Sequence, residues 1–114
     1  RMKNNHYVHF LNLLKAIEAK DNHPAIDETS KQVLNEIALG VANDLPLTVS
    51  DVMSLKHIGS PATLHRKLNQ LIAAHLVQAA FEGSNRRTKY MNLTSQGTAY
   101  FRRLAQAMHT AVQG

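Results

Sequence analysis

The chain has 114 residues, with 13 Lys and Arg against 8 Asp and Glu, a formal charge of +5, and no cysteine. That length fits a single domain, 1–114, whose core can hide roughly 65% of the unfolded surface, and 44% hydrophobic with 18% charged residues fits a folded chain rather than a disordered one. The missing thiols exclude a disulfide scaffold, a thiolate zinc site, a cysteine nucleophile and a thiol redox sensor.

Apolar runs last only a few residues, far short of the about 20 that a membrane span needs. No basic segment leads into an apolar one in the manner of a secretory signal, so the expected location is cytoplasmic, without a membrane partner. The charge is unevenly placed. Residues 1–57 carry six cations and seven acids, whereas residues 58–114 carry seven cations and Glu82 as their one acid. Such asymmetry implies a polyanion-facing half, with nucleic acid ahead of an anionic membrane surface.

Two N-terminal helices are predicted within residues 1–44. From His6 to Lys20, Tyr7, Phe10, Leu11, Leu14 and Ile17 recur at helical steps, and Asp21-Asn22-His23-Pro24 breaks the pattern. Asp27 can cap a second helix with Val33, Leu34, Ile37 and Val41 on one face, stopped by Asn43-Asp44-Leu45-Pro46. Residues 45–75 then read as a helix-turn-helix. Thr48-Val49-Ser50-Asp51 puts an acid at the capping-box position of a short helix with Val49, Val52 and Met53 inward. His57-Ile58-Gly59 leads to Ser60-Pro61, a serine cap followed by proline where no amide is needed. The next helix runs to about Ala74, and a tight turn before it makes it the element built to enter a major groove.

Residues 76–93 carry two alternating runs, Leu76 to Phe81 and Thr88 to Leu93, around a loop containing Gly83, Ser84 and Asn85, which reads as a β-hairpin. Thr94 caps a last helix, 94–114, with Phe101, Leu104, Ala105, Met108 and Val112 along one side. The fold class is therefore mostly α with a small β-hairpin wing, a winged helix-turn-helix with helices at both termini.

With Leu68 as the core direction at about 100° per residue, Leu64, Leu71 and Ile72 point inward, while Thr63, Arg66 and Gln70 point nearly opposite, flanked by Ala62, Lys67 and Asn69. That outward set has no acid. Arg66 offers paired donors for a guanine edge, Asn69 or Gln70 an amide for adenine, and Thr63 and Ala62 methyl contacts. The hairpin tip adds Arg86, Arg87 and Lys89 for phosphates or a narrow minor groove. With Ser60 at the helix start, these ten residues are the candidate DNA contacts. Arg102 and Arg103 fit either a position near the duplex or a solvated helix face.

Leu47-Thr48-Val49-Ser50-Asp51, the helix start from Ser60 to Lys67, the Leu76-Val77 strand start, Asn85-Arg86-Arg87 and Leu93-Thr94-x-x-Gly97 together resemble the MarR family of bacterial winged-helix transcription regulators, over roughly residues 45–104. The resemblance implies a homodimer on pseudo-palindromic operators, with recognition helices in successive major grooves and wings toward minor grooves. It also implies terminal helices forming the dimer, and a small-molecule effector in a cleft between them and the winged domain. Three departures stand out. Asn85 occupies the place of the aspartate that helps to orient a wing arginine; His75 replaces a glycine that family members often place at the left-handed cap before Leu76-Val77; and one C-terminal helix is present where two are implied.

Other chemistry is weakly represented. His6 and His9 have a spacing that could join a metal site, yet no further ligand set accompanies them, so neither a metal nor a cofactor is expected. His57 and His65 flank the turn and the recognition helix. Ser50, Ser54, Ser60, Ser84 and Ser95 sit at caps and turns, and no phosphate loop or nucleophile elbow occurs, which argues against an enzyme. The reading is a sequence-specific double-stranded DNA-binding transcription regulator. Its rival is a winged-helix protein–protein interaction module without specific DNA binding.

Overall fold

The computed structural model describes residues 4–20 and 26–113. The elements are α1 (His6–Lys20), α2 (Glu28–Ala42), α3 (Val49–Met53), α4 (Pro61–Ala73), β1 (Val77–Phe81), β2 (Lys89–Leu93) and α5 (Ser95–Gln113). The fold is the expected one, mostly helical with a two-stranded antiparallel hairpin. The breaker cluster Asp21 to Pro24 lies outside the described residues. Two compact units are present: one holds α2 to β2 and the chain up to Gly97, the other α1 and α5 from Thr98 onward.

The winged unit is organised by α2. Val33, Leu34 and Ile37 from α2, Val52 from α3, Leu64, Leu68 and Leu71 from α4, and Leu76, Val77 and Met91 from the hairpin are all 2% exposed or less. Each such aliphatic side chain stabilises the fold by about 1.5–3 kcal/mol relative to exposure. The hairpin register pairs Val77 with Leu93 and Phe81 with Lys89. Ahead of α3 the chain adds a short third edge to it, with a Thr48–Tyr90 bridge and the Met91 N–H donating to the Leu47 carbonyl at 2.7 Å.

Every predicted cap in this unit is made. Asp27 accepts from the Ser30 N–H at 2.8 Å. Thr48 and Asp51 form a reciprocal box, at 3.1 Å for the Asp51 N–H and 3.0 Å for the Thr48 N–H. Ser60 accepts from the Thr63 N–H at 3.2 Å, with Pro61 in the first turn. Two helix ends close by the same double hydrogen bond. After α4, His75 donates to Ile72 and Leu76 to Leu71; after α2, Asp44 donates to Val41 and Leu45 to Gly40. That pattern demands a left-handed residue, and His75 (φ 62°) and Asp44 (φ 57°) supply it without being glycine.

The start of α5 is fastened to the end of α4. Thr94 donates through its N–H to the Leu76 carbonyl at 3.1 Å and through its hydroxyl to the His75 carbonyl, and its oxygen accepts the Gly97 N–H at 3.0 Å. Gly97 is required by proximity: a Cβ there would lie 2.2 Å from the Leu76 carbonyl oxygen.

In the other unit, the side of α5 that carries Phe101, Leu104, Ala105, Met108 and Val112 is divided: Phe101 and Leu104 are half-buried and the other three exposed, and of the small residues Ala99, Ala105, Ala107 and Ala111, which permit close backbone approach, Ala107 and Ala111 are buried together with Tyr100. Small alanine side chains permit close helix approach, so here they form the contact row and the larger residues flank it. On α1, Tyr7 is 66% exposed and Leu11 is exposed as well. Tyr7 and Phe10 line a cleft with Met108, Ala111 and Val112, and Leu13 and Ile17 line another with Arg103 and Ala107, so α1 and α5 run antiparallel. Two further residues of the winged unit, Val49 and Ile72, were placed inward by periodicity and are exposed.

Candidate nucleic-acid interface

The outward side of α4 contains no acid. Ala62, Arg66, Asn69 and Gln70 are exposed, Thr63 and Lys67 are half-buried, and Ser60 is exposed at the cap. Ser60 and Thr63 are turned toward one another, their hydroxyls 3.1 Å apart, which leaves the Thr63 methyl beside Gly59. One turn further on, the Asn69 amide nitrogen is 3.2 Å from His65 Nδ1, fixing the amide along the helix. Arg66 lies between these two pairs.

Lys67 and Gln70 are directed differently. Lys67 forms an ion pair with Asp27, and its side chain is only 12% exposed. The ion-paired hydrogen bond from Lys67, helped by the Ser30 N–H, lowers the Asp27 pKa from 3.8 to about 2. Gln70 Oε1 accepts from the hydroxyl of buried Ser30 at 3.4 Å. The first turn of α2 therefore grips α4 through two polar contacts, and both reach the face expected to point away from the core. Periodicity around Leu68 carries no information about α2, whose Asp27 and Ser30 are each 40 residues away in sequence.

The wing is shaped by its own backbone. Gly83 adopts φ 59°, the Asn85 N–H donates to the Glu82 carbonyl at 3.2 Å, and Asn85 Oδ1 accepts the Arg87 N–H at 2.9 Å. Asparagine can thus hold the turn although it lacks the charge of the expected aspartate. Arg86, Arg87 and Lys89 are all exposed. Arg86 and Lys89 each lie over the Phe81 ring, at 5.5 and 5.4 Å from its centroid. Phe81 was read only as a strand residue; its signal was the hairpin register that sets it opposite Lys89.

The remaining candidates fall elsewhere. Arg102 is exposed and Arg103 half-buried on α5. His57 Nε2 is 3.5 Å from Glu36 of α2. Among the described residues no group of three or more His, Asp or Glu is placed to hold a metal ion, and no helix is long and apolar enough to cross a membrane.

No family model matches the chain. The chain is 30% identical over 95 residues to the HTH-type transcriptional regulator TcaR of Staphylococcus aureus, in strains Newman and COL, covering 82% of the chain and 62% of that protein. It thus spans less than two thirds of the curated relatives it matches. Among solved structures it resembles Staphylococcus aureus MepR bound to ethidium bromide, with a TM-score of 0.67 and 16% identity over 90% of this chain and 71% of that one. It also resembles the transcriptional regulator Tm0710 from Thermotoga maritima, with a TM-score of 0.63 and 12% identity over 93% and 66%. The motifs, the fold and these relatives agree, and the chain has a winged helix-turn-helix fold similar to that of MarR-like regulators.

Proposed function

We propose that the chain is a sequence-specific double-stranded DNA-binding transcription regulator that acts as a homodimer. The observation that carries this reading is the exposed, acid-free face of α4 centred on Arg66, set behind a tight turn and followed by a cationic wing. The regulator TcaR, whose sequence it shares in part, supports the same reading. In it, the Arg66 guanidinium reads a guanine edge with two donors, Asn69 an adenine, and Ala62 and the Thr63 methyl a thymine. Arg86, Arg87 and Lys89 neutralise phosphates or enter the minor groove. Ser60 contributes at the helix start. Lys67 and Gln70 act from the flank, where a phosphate competes with Asp27 for the ammonium and Ser30 orients the amide.

The dimer is supported by Tyr7, Leu11, Met108 and Val112, large apolar side chains exposed on the α1–α5 unit, since soluble oligomers favour two-fold pairing of one such patch with itself. The test is selection of bound duplexes from a random pool, with the mass of the free protein measured alongside. An enriched inverted repeat and a mass of two chains are expected. An unenriched pool would remove sequence-specific readout, and a single-chain mass would remove the dimer.

A further inference from the structure

Asn85 stands beside the wing cations, and its Oδ1 is already used by the Arg87 N–H. An amide has no charge with which to draw a guanidinium. An aromatic ring stands where it can supply the attraction. Phe81 closes β1 and is the register partner of Lys89 at the start of β2, so the two side chains leave the same face of the hairpin. Lys89 Nζ lies 5.4 Å and the Arg86 guanidinium carbon 5.5 Å from the ring centroid. Both are within the about 6 Å at which the ring quadrupole attracts a cation. The ring is 39% exposed, and it also lines a cleft of about 230 Å³ with Val41, Pro46 and Met91. Its seat is the body of the winged unit rather than the loop.

We propose that Phe81 is the positioning residue of the wing, holding Arg86 and Lys89 in place for the DNA backbone. The inference rests on the DNA-binding reading above. Arginine and lysine on a loop lose rotamer freedom when they engage phosphate; a ring that already restricts them removes part of that cost. Guanidinium donors lie in the plane of the group, so contact through its face leaves them available to phosphate oxygens. Unlike a carboxylate, the ring does this without adding a negative charge that DNA would repel.

The experiment compares wild type, Phe81→Leu, Phe81→Trp and an Arg86→Ala/Lys89→Ala pair with and without Phe81→Leu, by fluorescence anisotropy on duplex DNA over a range of salt. Phe81→Leu should bind about three- to tenfold more weakly with an unchanged salt slope, because the number of charges is the same. Phe81→Trp should restore binding, and Phe81→Leu should add nothing once both cations are gone. In the free wild-type protein, NMR should show ring-current upfield shifts of the Arg86 δ and Lys89 ε protons. Wild-type affinity or tighter binding in Phe81→Leu, an equal loss in the background lacking both cations, or the absence of those shifts would each overturn the proposal. A wild type that binds no duplex would overturn the functional reading and this one with it, whereas a wild type that binds and a Phe81→Leu variant that matches it would overturn this one alone.

Discussion

Gly97→Ala sets two physical effects against each other, and the sign of the result separates them. Helix propensity alone favours alanine over glycine by up to about 1 kcal/mol, and Gly97 is the third residue of α5. The added Cβ, however, would sit 2.2 Å from the Leu76 carbonyl oxygen and 3.2 Å from its carbon. Real Cβ atoms essentially never come within 3.0 Å of a neighbour, and that neighbour is backbone, so the start of α5 must retreat. Retreat strains the bonds that fasten it: Thr94 N–H to Leu76 at 3.1 Å, the Thr94 hydroxyl to His75, and Gly97 N–H to Thr94 at 3.0 Å. Overpacking costs about 1–3 kcal/mol, and weakening one or two hydrogen bonds adds about 0.5–1.5 kcal/mol each. Net destabilisation of about 0.5–5 kcal/mol is expected after the propensity gain. Urea unfolding followed by circular dichroism reads it directly. A Gly97→Ala protein as stable as wild type, or more stable, would refute the steric account of this junction.

Three other outcomes follow from the same geometry. His75→Gly relieves a non-glycine residue at φ 62° and should stabilise the protein by about 1 kcal/mol, raising the melting temperature by several degrees; no rise would mean that histidine is unstrained there. Asp27 has a folded pKa lowered from 3.8 to about 2, chiefly by Lys67. Its contribution is therefore present above pH about 4 and lost as pH falls from there through about 2. Wild type should lose more stability than Asp27→Asn between pH 5 and pH 2.5, measured by urea midpoints, and parallel losses would contradict the pairing. Ser60→Ala should cost about 1 kcal/mol through the lost cap, checked by thermal melting, with Ser60→Thr close to wild type.

What was legible in the sequence was local. Asp27, the Thr48–Asp51 box, Ser60-Pro61 and Thr94 announce helix starts because each satisfies backbone donors within three residues of itself, and all four do so in the structure. His75 was marked as a left-handed cap only by the family resemblance, in which a glycine often stands at that place, and the structure puts it at φ 62°. Long-range partners were not readable. Lys67 and Gln70 belonged to the outward face of α4 by angle, yet Asp27 and Ser30 meet them from another helix. On α5 the alanines were legible as residues of close approach, and Ala107 and Ala111 are buried, but the apolar side from Phe101 to Val112 did not mark Tyr100, because a helical period does not say which row a neighbour will approach. The Phe81 ring with its two cations required the hairpin register, which the alternating strands left open by the length of the loop.

If the α4 face reads base sequence while the wing holds backbone, variants of the two must separate in a single titration series. Wild type, Arg66→Ala and Lys89→Ala are titrated against the duplex enriched from a random pool and against a random duplex, at several salt concentrations. Arg66→Ala is predicted to lose about 1–3 kcal/mol on the enriched duplex and little on the random one, so that discrimination collapses, while Lys89→Ala weakens both alike and lowers the salt slope by about one. Arg66→Ala that distinguishes the two duplexes as well as wild type does would mean that Arg66 does not read a base.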